Sequence, residues 1–389
     1  MAEVILARGR EQRILGGHPW VFRTEIEKIR GAYNPGDIVD VRDSRGRFLG
    51  RGFLNPHSMI AVRILTSTEE PIDRDFFRRR FAESWERRRF LGDTEACRVV
   101  FAEADGLPGL VVDKFGEYLV MQFLALGVAV RQEMLVEIVR EVMAPRGIYL
   151  RNDAPVRELE GLPLEKGPSG KAFDPIVTFH ENGLTFTVDV AEGQKTGYFL
   201  DQRYNRAAIA PFVAGAEVLD AFCYVGSFAV HAAKYGARSV TGVDISDWAI
   251  DMARKHAAMN GVGGRTEFVV ANAFDYLRRE EQAGRRYDVV ILDPPAFARN
   301  RAALPGAIRG YKEINLRGMR LCRPGGRLVT ASCSQHVDHD TFVQILQDAA
   351  ADARRTVRIL LDQGQPPDHP VLLASPQTRY LKFLVLEVM

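Results

Sequence analysis

The stretch from Glu217 to Asp244 constrains the fold of this chain more than any other, because it holds two apolar runs that each end at an aspartate. The first run leads to Asp220, a loop closes on Gly226, an alanine-rich segment follows, and the second run ends at Asp244. This order predicts a strand, a glycine turn, a helix and a second strand. A glycine lets the backbone approach a ligand closely, and a carboxylate at the end of the second strand can accept both hydroxyl groups of a ribose. The stretch therefore indicates a site for a nucleoside cofactor.

The loop between the two strands discriminates among the cofactors that such a site can take. A dinucleotide fingerprint needs three glycines, in the pattern G-x-G-x-x-G, so that bare backbone can meet the pyrophosphate. Here Asp220-Ala-Phe222 fills that space with side chains. The loop therefore favours S-adenosylmethionine over NAD, and an ordinary structural turn of an α/β fold is the third interpretation.

Composition sets broad limits on the class of protein. The chain has 389 residues, of which 46% are apolar and 26% are charged, as is common for two or three soluble globular domains. Its net charge of +2 does not by itself indicate a nucleic-acid partner. The clusters Arg78-Arg-Arg80 and Arg87-Arg-Arg89 are local basic signals, and such clusters are more often solvated helix faces than RNA contacts.

The four cysteines, Cys97, Cys223, Cys322 and Cys333, are scattered without C-x-x-C spacing. This pattern argues against a zinc site and against a disulfide scaffold, and it suits a reducing cytoplasm. No apolar run approaches the roughly 20 residues that a membrane-spanning helix needs, and the N-terminus lacks the apolar core of a signal peptide. We therefore expect a soluble, cytoplasmic protein with no metal and no membrane partner.

The pattern of apolar residues and turn signals divides the chain into four segments. The first consists of short strands and suits a small bent barrel, the second is a helical connector, and the third mixes hairpins with a helix. The fourth alternates strands with helices, which predicts a mostly parallel sheet with helices on both faces and an antiparallel pair for the last two strands. The four segments are residues 1–70, 71–95, 96–190 and 191–389.

Local expectations accompany this division. We expect Trp20 in the core of the barrel and a helix over residues 73–91. In the third segment we expect one helix over residues 130–143, a surface loop over residues 152–175, and a hairpin turn at Asn182-Gly183.

Polar residues end the strands of the fourth segment. In an open parallel sheet, ligands bind outside the carboxyl ends of the strands, so these residues are expected to share one rim. Packing alone does not explain five such terminations. They are Asp220, Asp244, Asn272-Ala273, Asp293 and Cys333.

Cys333 and Asp293 suggest a specific chemistry at this rim. Carbon 5 of a pyrimidine is too weak a nucleophile to attack a sulfonium methyl group, but addition of a thiolate at carbon 6 converts the ring into a nucleophilic enamine. Asp293, which two prolines follow, could donate to the ring nitrogen N3 or hold it as charge develops. The base must then be splayed out of its stack. We interpret His336 and His339 as polar loop residues and not as metal ligands.

Five segments of the chain match the pattern of a known family: Leu6–Arg10, Gly17–Phe22, Glu192–Arg203, Asp293–Pro295 and Ser332–Ser334. On these segments the chain resembles the PUA-domain class I RNA methyltransferases of the bacterial ribosomal RNA large subunit methyltransferase I type. The resemblance implies an N-terminal PUA β-barrel that binds RNA, a central α+β domain and a C-terminal Rossmann-like, doubly wound α/β methyltransferase sheet. It also implies S-adenosylmethionine as the cofactor and 5-methylcytidine in 23S ribosomal RNA as the product; a homodimer is left open.

The resemblance also assigns roles to residues. Cys333 is the implied nucleophile, Asp244 the implied ribose ligand, and Asn272-Ala273 are implied to flank the adenine. Asp293 is the second expected catalytic residue, beside Cys333. The expected cofactor-binding residues are Phe199, Gln202, Asp220, Phe222, Gly226, Asp244, Ile245, Asn272, Ala273 and Asp293.

One departure leaves part of the chemistry open. RNA cytosine methyltransferases with two cysteines carry the second directly after the proline pair, where this chain has Ala296. The base that removes the carbon-5 proton is therefore unassigned. Two other functions stay in view: methylation of uridine or another base by the same fold, and a non-catalytic RNA-binding factor in ribosome assembly.

Overall fold

The computed structural model describes residues 1–298 and 300–389 of the chain. Contacts group the chain into two compact units. The first comprises Met1–His180, Thr187–Leu200 and Pro367–Thr378, and the second comprises Glu181–Phe186, Asp201–Pro366 and Arg379–Met389. The predicted barrel and the predicted central segment up to residue 180 fall in the first unit, and the finer division into four segments stays a prediction.

A six-stranded sheet forms the N-terminal part of the first unit. Its strand order is β2-β6-β5-β4-β1-β3, and β1 pairs with β4 in parallel while the other neighbours are antiparallel. Strands β2 and β3 were not predicted. In β3, the exposed Glu27 and Lys28 interrupt the apolar pattern. The elements are β1 (Glu3–Leu6), α1 (Gln12–Leu15), β2 (Trp20–Phe22), β3 (Ile26–Arg30), β4 (Ile38–Arg42), β5 (Phe48–Leu54) and β6 (Ile60–Thr66).

A five-stranded sheet with strand order β11-β10-β9-β8-β7 forms the rest of the core of the first unit. Helix α2 begins after Asp73, whose side chain accepts a hydrogen bond from Phe76 N at 3.0 Å. Phe76, Phe77 and Phe81 of this helix lie in the same hydrophobic cluster as the sheet, so the predicted connector helix is part of a core. The elements are α2 (Arg74–Phe90), β7 (Ala96–Phe101), β8 (Leu110–Phe115), β9 (Tyr118–Phe123), α3 (Leu126–Ala129), α4 (Gln132–Met143), β10 (Gly147–Asn152) and β11 (Glu165–Ser169).

The helix expected over residues 130–143 is confirmed as α4, and the short helix α3 before it was not predicted. The structure corrects two other local predictions in this unit. The loop expected over residues 152–175 contains a 3₁₀-helix, Pro155–Glu160, and strand β11. Trp20 is only partly buried, and its indole N–H donates to Glu103 Oε1 at 2.9 Å. The indole N–H needs a hydrogen-bond acceptor, and the apolar side chains in the core of the barrel offer none, so Trp20 lies at its edge beside Glu103.

The arginine clusters of α2 do not form a single solvated face. Arg88 is 2% exposed, and its guanidinium donates to both carboxylate oxygens of Asp105, at 2.7 and 2.6 Å, as well as to Arg98 O and Asp368 O. A buried charge of this kind holds the structure together only because it is paired and hydrogen-bonded. Arg87 and Arg89 are exposed, so two arginines of this cluster lie on the surface and Arg88 lies in the interior.

A two-stranded hairpin of β12 (Ile176–Glu181) and β13 (Leu184–Asp189) follows. Asn182 and Gly183 have φ angles of 52° and 75°, which confirms the predicted Asn-Gly turn. Beside the turn, Arg206 donates to both oxygens of Glu181 at 2.6 and 2.8 Å, and both side chains are buried.

Seven strands form the sheet of the second unit, in the order β16-β15-β14-β17-β18-β20-β19. The first five run parallel, and β20 is antiparallel to both β18 and β19, which confirms the predicted antiparallel pairing of the last two strands. Helix α7 packs with α5, α6 and α8, whereas α10 packs with α9 and α11, so helices cover both faces. The strands are β14 (Glu217–Ala221), β15 (Ser239–Asp244), β16 (Thr266–Val270), β17 (Tyr287–Leu292), β18 (Cys322–Ser332), β19 (Val357–Gln363) and β20 (Lys382–Val388), and the helices are α5 (Arg203–Ala208), α6 (Ala210–Val213), α7 (Ser227–Lys234), α8 (Asp247–Met259), α9 (Ala273–Gln282), α10 (Leu304–Leu321) and α11 (His339–Ala353).

Gly226 is required at the start of α7. Its φ is +76°, and a Cβ added there would lie 2.7 Å from Ala253 Cβ and 3.0 Å from Phe268. We expect Gly226→Ala to lower the free energy of unfolding by about 2–4 kcal/mol, because left-handed backbone strain and overpacking add. Urea unfolding of both variants measures this, with Gly264→Ala as the control, because a Cβ at Gly264 meets nothing within 4 Å. Equal stability of the two variants would contradict the expectation.

Candidate active site

The carboxyl ends of four adjacent strands bring the predicted polar residues to one rim of the second unit. In the sheet, β14 lies between β15 and β17, and β17 lies beside β18. Asp244 is the last residue of β15, Asp220 is the penultimate residue of β14, and Asp293 and Cys333 directly follow β17 and β18. The rim is at the point where the strand order reverses, which is where open α/β sheets bind ligands.

Asp220 is the most unusual group on this rim. It is fully buried, and neither of its carboxylate oxygens accepts a hydrogen bond of good geometry within the described residues. Burial, and after it the nearby Asp293, raises the pKa of Asp220 well above its usual value. The Ala229 backbone N–H opposes this shift, and Asp244 adds a smaller contribution to it. An unsatisfied buried carboxyl group is costly, so its presence here points to a ligand that would complete it.

The loop after β14 holds a strained backbone. Phe222 and Tyr224 have φ angles of 68° and 49°, a left-handed conformation that costs a side-chain-bearing residue of order 1–3 kcal/mol. Asp244 helps to hold the loop, because its Oδ2 accepts from Tyr224 N at 2.9 Å while its Oδ1 accepts from Ser246 N at 3.0 Å. This strain could not be predicted from the residue types, since phenylalanine and tyrosine do not usually mark left-handed positions.

Apolar surface continues the rim beyond Asp244. Ile245 is 68% exposed and Trp248 is 42% exposed, and the Trp248 ring lies 6.1 Å from that of Tyr224. Exposed side chains of this size next to a carboxylate can cover the face of a planar ring.

The other expected cofactor residues differ in their surroundings. Asn272 caps α9, because its side chain accepts from Phe274 N at 2.9 Å and from Asp275 N, and Ala273 is buried as the first residue of that helix. Phe222 packs edge-on against Phe274, with ring centroids 5.9 Å apart. Phe199 lies in the first unit, where its ring is 4.8 Å from the ammonium group of Lys195.

A chain of side-chain amides orients Asp293. Gln202 Nε2 donates to Asp293 Oδ1 at 2.8 Å, Asn205 Nδ2 donates to Gln202 Oε1 at 2.5 Å, and Gln363 Nε2 donates to Asn205 Oδ1 at 2.5 Å. Each amide fixes the direction of the next, so Gln202 presents an N–H to the carboxyl group. Asn205 and Gln363 were missed in the sequence, because one lies in α5 and the other at the end of β19, 158 residues away, and no local spacing connects them.

Cys333 differs from the other cysteines in its access to solvent. Cys333 is partly exposed, whereas Cys97, Cys223 and Cys322 are buried. Burial, and after it the nearby Asp220 and Asp244, raises the pKa of Cys223 well above its usual value, and burial raises that of Cys322 to about 12. Since the thiolate is the reactive form, these raised pKa values disfavour Cys223 and Cys322 as nucleophiles.

Lys382 lies beside the Cys333 loop. Its ammonium donates to Ser334 O and to Tyr380 O, each at 2.8 Å, and the side chain is buried. Burial lowers the pKa of Lys382 to about 8, although Cys333 and Asp338 act to raise it. The only sign of this residue in the sequence is a lysine directly before the apolar run Phe383–Leu386.

Aromatic side chains border a cavity of about 610 Å³ next to the Asp293 loop. The ring of Phe297 lies 5.8 Å from that of Phe274 and 4.7 Å from that of Tyr311, whose hydroxyl group is 2.9 Å from Ser334 Oγ. The cavity is lined by Phe274, Phe297, Ala303, Pro305, Gly306 and Arg309, among others. Its volume and its aromatic wall are suited to a flat ring.

The described part of the chain contains neither a cluster of metal-binding side chains nor a helix that could span a membrane. Over residues 1–298 and 300–389, no three side chains of His, Cys, Asp or Glu are grouped in a way that could hold a metal ion. His339 instead pairs with Asp362 at 2.7 Å, which raises the pKa of the imidazole. Within those same ranges, every helix is too short or too polar to span a bilayer.

Comparisons with known proteins agree with this architecture. A family profile described as a PUA-like domain matches residues 4–67, and one described as an S-adenosylmethionine-dependent methyltransferase matches residues 151–383. The ribosomal RNA large subunit methyltransferase I of Shewanella amazonensis is 43% identical, with 98% of each chain covered. The enzyme of that name from Alteromonas mediterranea is 41% identical, with 100% of this chain and 99% of the relative covered.

Solved structures extend the likeness to the whole fold. The crystal structure of a putative methyltransferase complexed with SAH superimposes with a TM-score of 0.87 at 22% identity and covers 100% of both chains. The sequence profiles and this superposition confirm the predicted α/β fold class with its N-terminal PUA-like domain. They also confirm the prediction of S-adenosylmethionine as the cofactor.

The lowered pKa of Lys382 makes the stability of the protein depend on pH. Between about pH 8 and pH 10.5 the unfolded chain binds more proton at this residue than the folded chain, so the wild type gains stability as the pH rises. Relative to Lys382→Met, the gain is expected to reach about 3 kcal/mol, from a shift of 2.5 pH units. Urea unfolding at pH 7 and pH 10 measures it, with the exposed Lys255→Met as the control. A difference between wild type and Lys382→Met that does not change with pH would contradict the burial of a titrating amine.

Proposed function

We propose a specific reaction for this chain, which belongs to the ribosomal RNA large subunit methyltransferase I family of S-adenosylmethionine-dependent methyltransferases. The reaction is methylation of carbon 5 of a cytidine in 23S ribosomal RNA, with Cys333 as the nucleophile that activates the base. One observation carries the proposal: the accessible thiol of Cys333 follows β18 on the same rim as the carboxyl group of Asp293. Such a pair has a use in methylation of a pyrimidine carbon and none in methylation of an exocyclic amine.

The residues around Asp244 fit the cofactor. Asp244, oriented by Tyr224 N and Ser246 N, would accept the ribose hydroxyl groups, and Ile245 would cover one face of the adenine. The buried oxygens of Asp220, which lack good hydrogen bonds, would be completed by the polar end of the cofactor. S-adenosylmethionine supplies an electrophilic methyl group when it is bound.

Cys333 begins the reaction on the substrate. Its thiolate adds to carbon 6 of the pyrimidine, the electrons of the carbon 5–carbon 6 double bond move into the ring, and carbon 5 becomes nucleophilic. After carbon 5 has gained its methyl group and lost its proton, the bond from sulfur to carbon 6 breaks and Cys333 recovers its electron pair. The cavity beside Phe297 would hold the flipped base against an aromatic wall.

Asp293 would meet the ring nitrogen N3. Gln202 donates to one oxygen of its carboxyl group, and the amide chain through Asn205 keeps that contact in one orientation. A protonated Asp293 would donate to N3 of cytosine, whereas the N3–H of uracil would need an acceptor. The protonation state of Asp293 is therefore the feature that separates cytidine from uridine as the substrate.

The N-terminal sheet supplies the proposed contact with RNA. Residues 4–67 match a PUA-like domain, and the relatives are named for their action on large-subunit ribosomal RNA. A ribosomal substrate would place this enzyme in the cytoplasm.

Substitution of the nucleophile tests the reaction. We expect Cys333→Ala to lose at least 10³-fold in methylation rate, because no other group can activate carbon 5. Purified enzyme, labelled cofactor and undermethylated ribosomal RNA would be followed by nucleoside mass spectrometry, which also identifies the methylated base. Cys322→Ala, on the same strand but buried, is the control and should retain activity. Full activity of Cys333→Ala would disprove the covalent route, and 5-methyluridine as the product would reassign the substrate.

Cofactor affinity tests the assignment of Asp244. We expect Asp244→Ala to bind S-adenosylhomocysteine about 10–100-fold more weakly, since two hydrogen bonds to a carboxylate are lost. Isothermal calorimetry measures the dissociation constant, and Asp251→Ala on the exposed face of α8 is the matched control. An unchanged constant for Asp244→Ala would remove this residue from the site, and absence of heat with the wild type would favour a non-catalytic RNA-binding factor.

A further inference from the structure

We propose that Lys382 is the proton partner of Cys333: its ammonium group pairs with the Cys333 thiolate and thereby keeps the nucleophile ionised. Lys382 acts through Cys333 and is therefore a positioning residue. The inference rests on the proposed function, in which the Cys333 thiolate attacks the base, and it explains how a thiol on this rim can be ionised at neutral pH.

Lys382 lies next to the residues that precede and follow Cys333 in the sequence. In the antiparallel ladder of β18 and β20, Lys382 pairs with Ser332, the residue before Cys333. Its Nζ donates at 2.8 Å to the carbonyl oxygen of Ser334, the residue after Cys333. The backbone on either side of the nucleophile is thus held by one lysine.

The hydrogen bonds of Lys382 use two of the three N–H groups of its ammonium. Nζ donates to two carbonyl oxygens, of Ser334 and Tyr380, and these are its only hydrogen bonds within residues 1–298 and 300–389. An ammonium group has three N–H donors, so a third remains. A buried cation with a donor to spare is costly unless an anion is nearby.

The charges around Lys382 support an anionic Cys333 as that partner. Two groups favour the charged amine, the sulfur of Cys333 and the carboxylate of Asp338, and burial opposes them. With its pKa at about 8, the amine is largely protonated at pH 7 but loses its proton within the working range of an enzyme. Tyr311, which also faces Cys333, has a pKa raised mainly by burial and so stays neutral.

The ion pair forms by one of two balanced steps. Where the amine of Lys382 is neutral, the S–H bond of Cys333 breaks, its electron pair stays on sulfur, and the proton forms the third N–H bond of Lys382. Where the amine is already an ammonium group, the proton of Cys333 passes to water and the ammonium pairs with the thiolate that remains. When the sulfur bonds to carbon 6, its negative charge passes into the ring and the ammonium loses its partner. When the sulfur leaves at the end of the reaction, the ammonium stabilises the thiolate that returns.

A purely structural lysine would hold the Ser334 loop but would not change the acidity of Cys333. The test is therefore the rate at which iodoacetamide alkylates Cys333 as a function of pH, read by peptide mass spectrometry in the full-length enzyme without RNA. In the wild type we expect the half-maximal rate at a pH below that of an ordinary thiol, roughly 8.5. In Lys382→Met we expect the midpoint to rise by at least one pH unit, so that alkylation at pH 7 falls about tenfold. Lys382→Arg, which keeps the charge, should lie closer to the wild type.

Controls separate the outcomes. Lys255→Met, on the exposed surface of α8, should follow the wild-type profile, and the buried Cys97, Cys223 and Cys322 report unfolding by their own alkylation. A Lys382→Met profile that superimposes on the wild type would overturn the inference. If Lys382→Met does not fold, the wild type alone decides, because a midpoint at or above about 8.5 would overturn it as well.

The result is independent of the identity of the methylated base. A Cys333 midpoint that depends on Lys382, together with an active Cys333→Ala enzyme, would uphold the ion pair and reject the covalent methylation. A midpoint independent of Lys382, together with an inactive Cys333→Ala enzyme, would reject the ion pair and uphold the covalent methylation.

Discussion

The parallel pairing of β14, β17 and β18 is the constraint on which the candidate site depends. Each backbone ladder fixes where its strand ends, and the three ladders together bring Asp220, Asp293 and Cys333 to one rim although they are far apart in the sequence. The antiparallel strand β20 then adds Lys382 opposite the end of β18. The catalytic proposal is therefore a consequence of sheet register, since a shift of one residue would move the side chains to the opposite face of the sheet.

The rim holds several groups that are unfavourable by local rules. Asp220 is buried without good hydrogen bonds, Phe222 and Tyr224 have left-handed backbone, and the amine of Lys382 is buried with a lowered pKa. By contrast, the buried guanidinium of Arg88 is paired with the carboxylate of Asp105. Unfavourable groups that gather at one edge of a sheet are typical of a functional site, where a ligand or a reaction compensates for their cost.

The parallel sheet of the second unit and the position of its rim could be predicted from the sequence. The apolar runs that end at Asp220, Asp244 and Asp293 predicted the parallel sheet and its rim, because strand periodicity and the position of ligands in such sheets are general. The features that were not predicted depend on tertiary contacts. Strand β11 lies in a segment rich in proline and glycine, and Arg88 is buried because it pairs with a carboxylate 17 residues away. Lys382 lies near Cys333 only because β20 pairs with β18. Such features depend on neighbours that no local pattern identifies.

The proposed methylation depends on a covalent bond between Cys333 and the substrate, and trapping that bond is the most direct test of the reaction. Ribosomal RNA that carries 5-fluorocytidine cannot lose a proton from carbon 5, so the adduct at carbon 6 should persist after methylation. Mass spectrometry of the digested complex is predicted to find a methylated fluoropyrimidine attached to Cys333 and to none of the other three cysteines. Methylation without any adduct, or an adduct that survives in Cys333→Ala, would contradict the account.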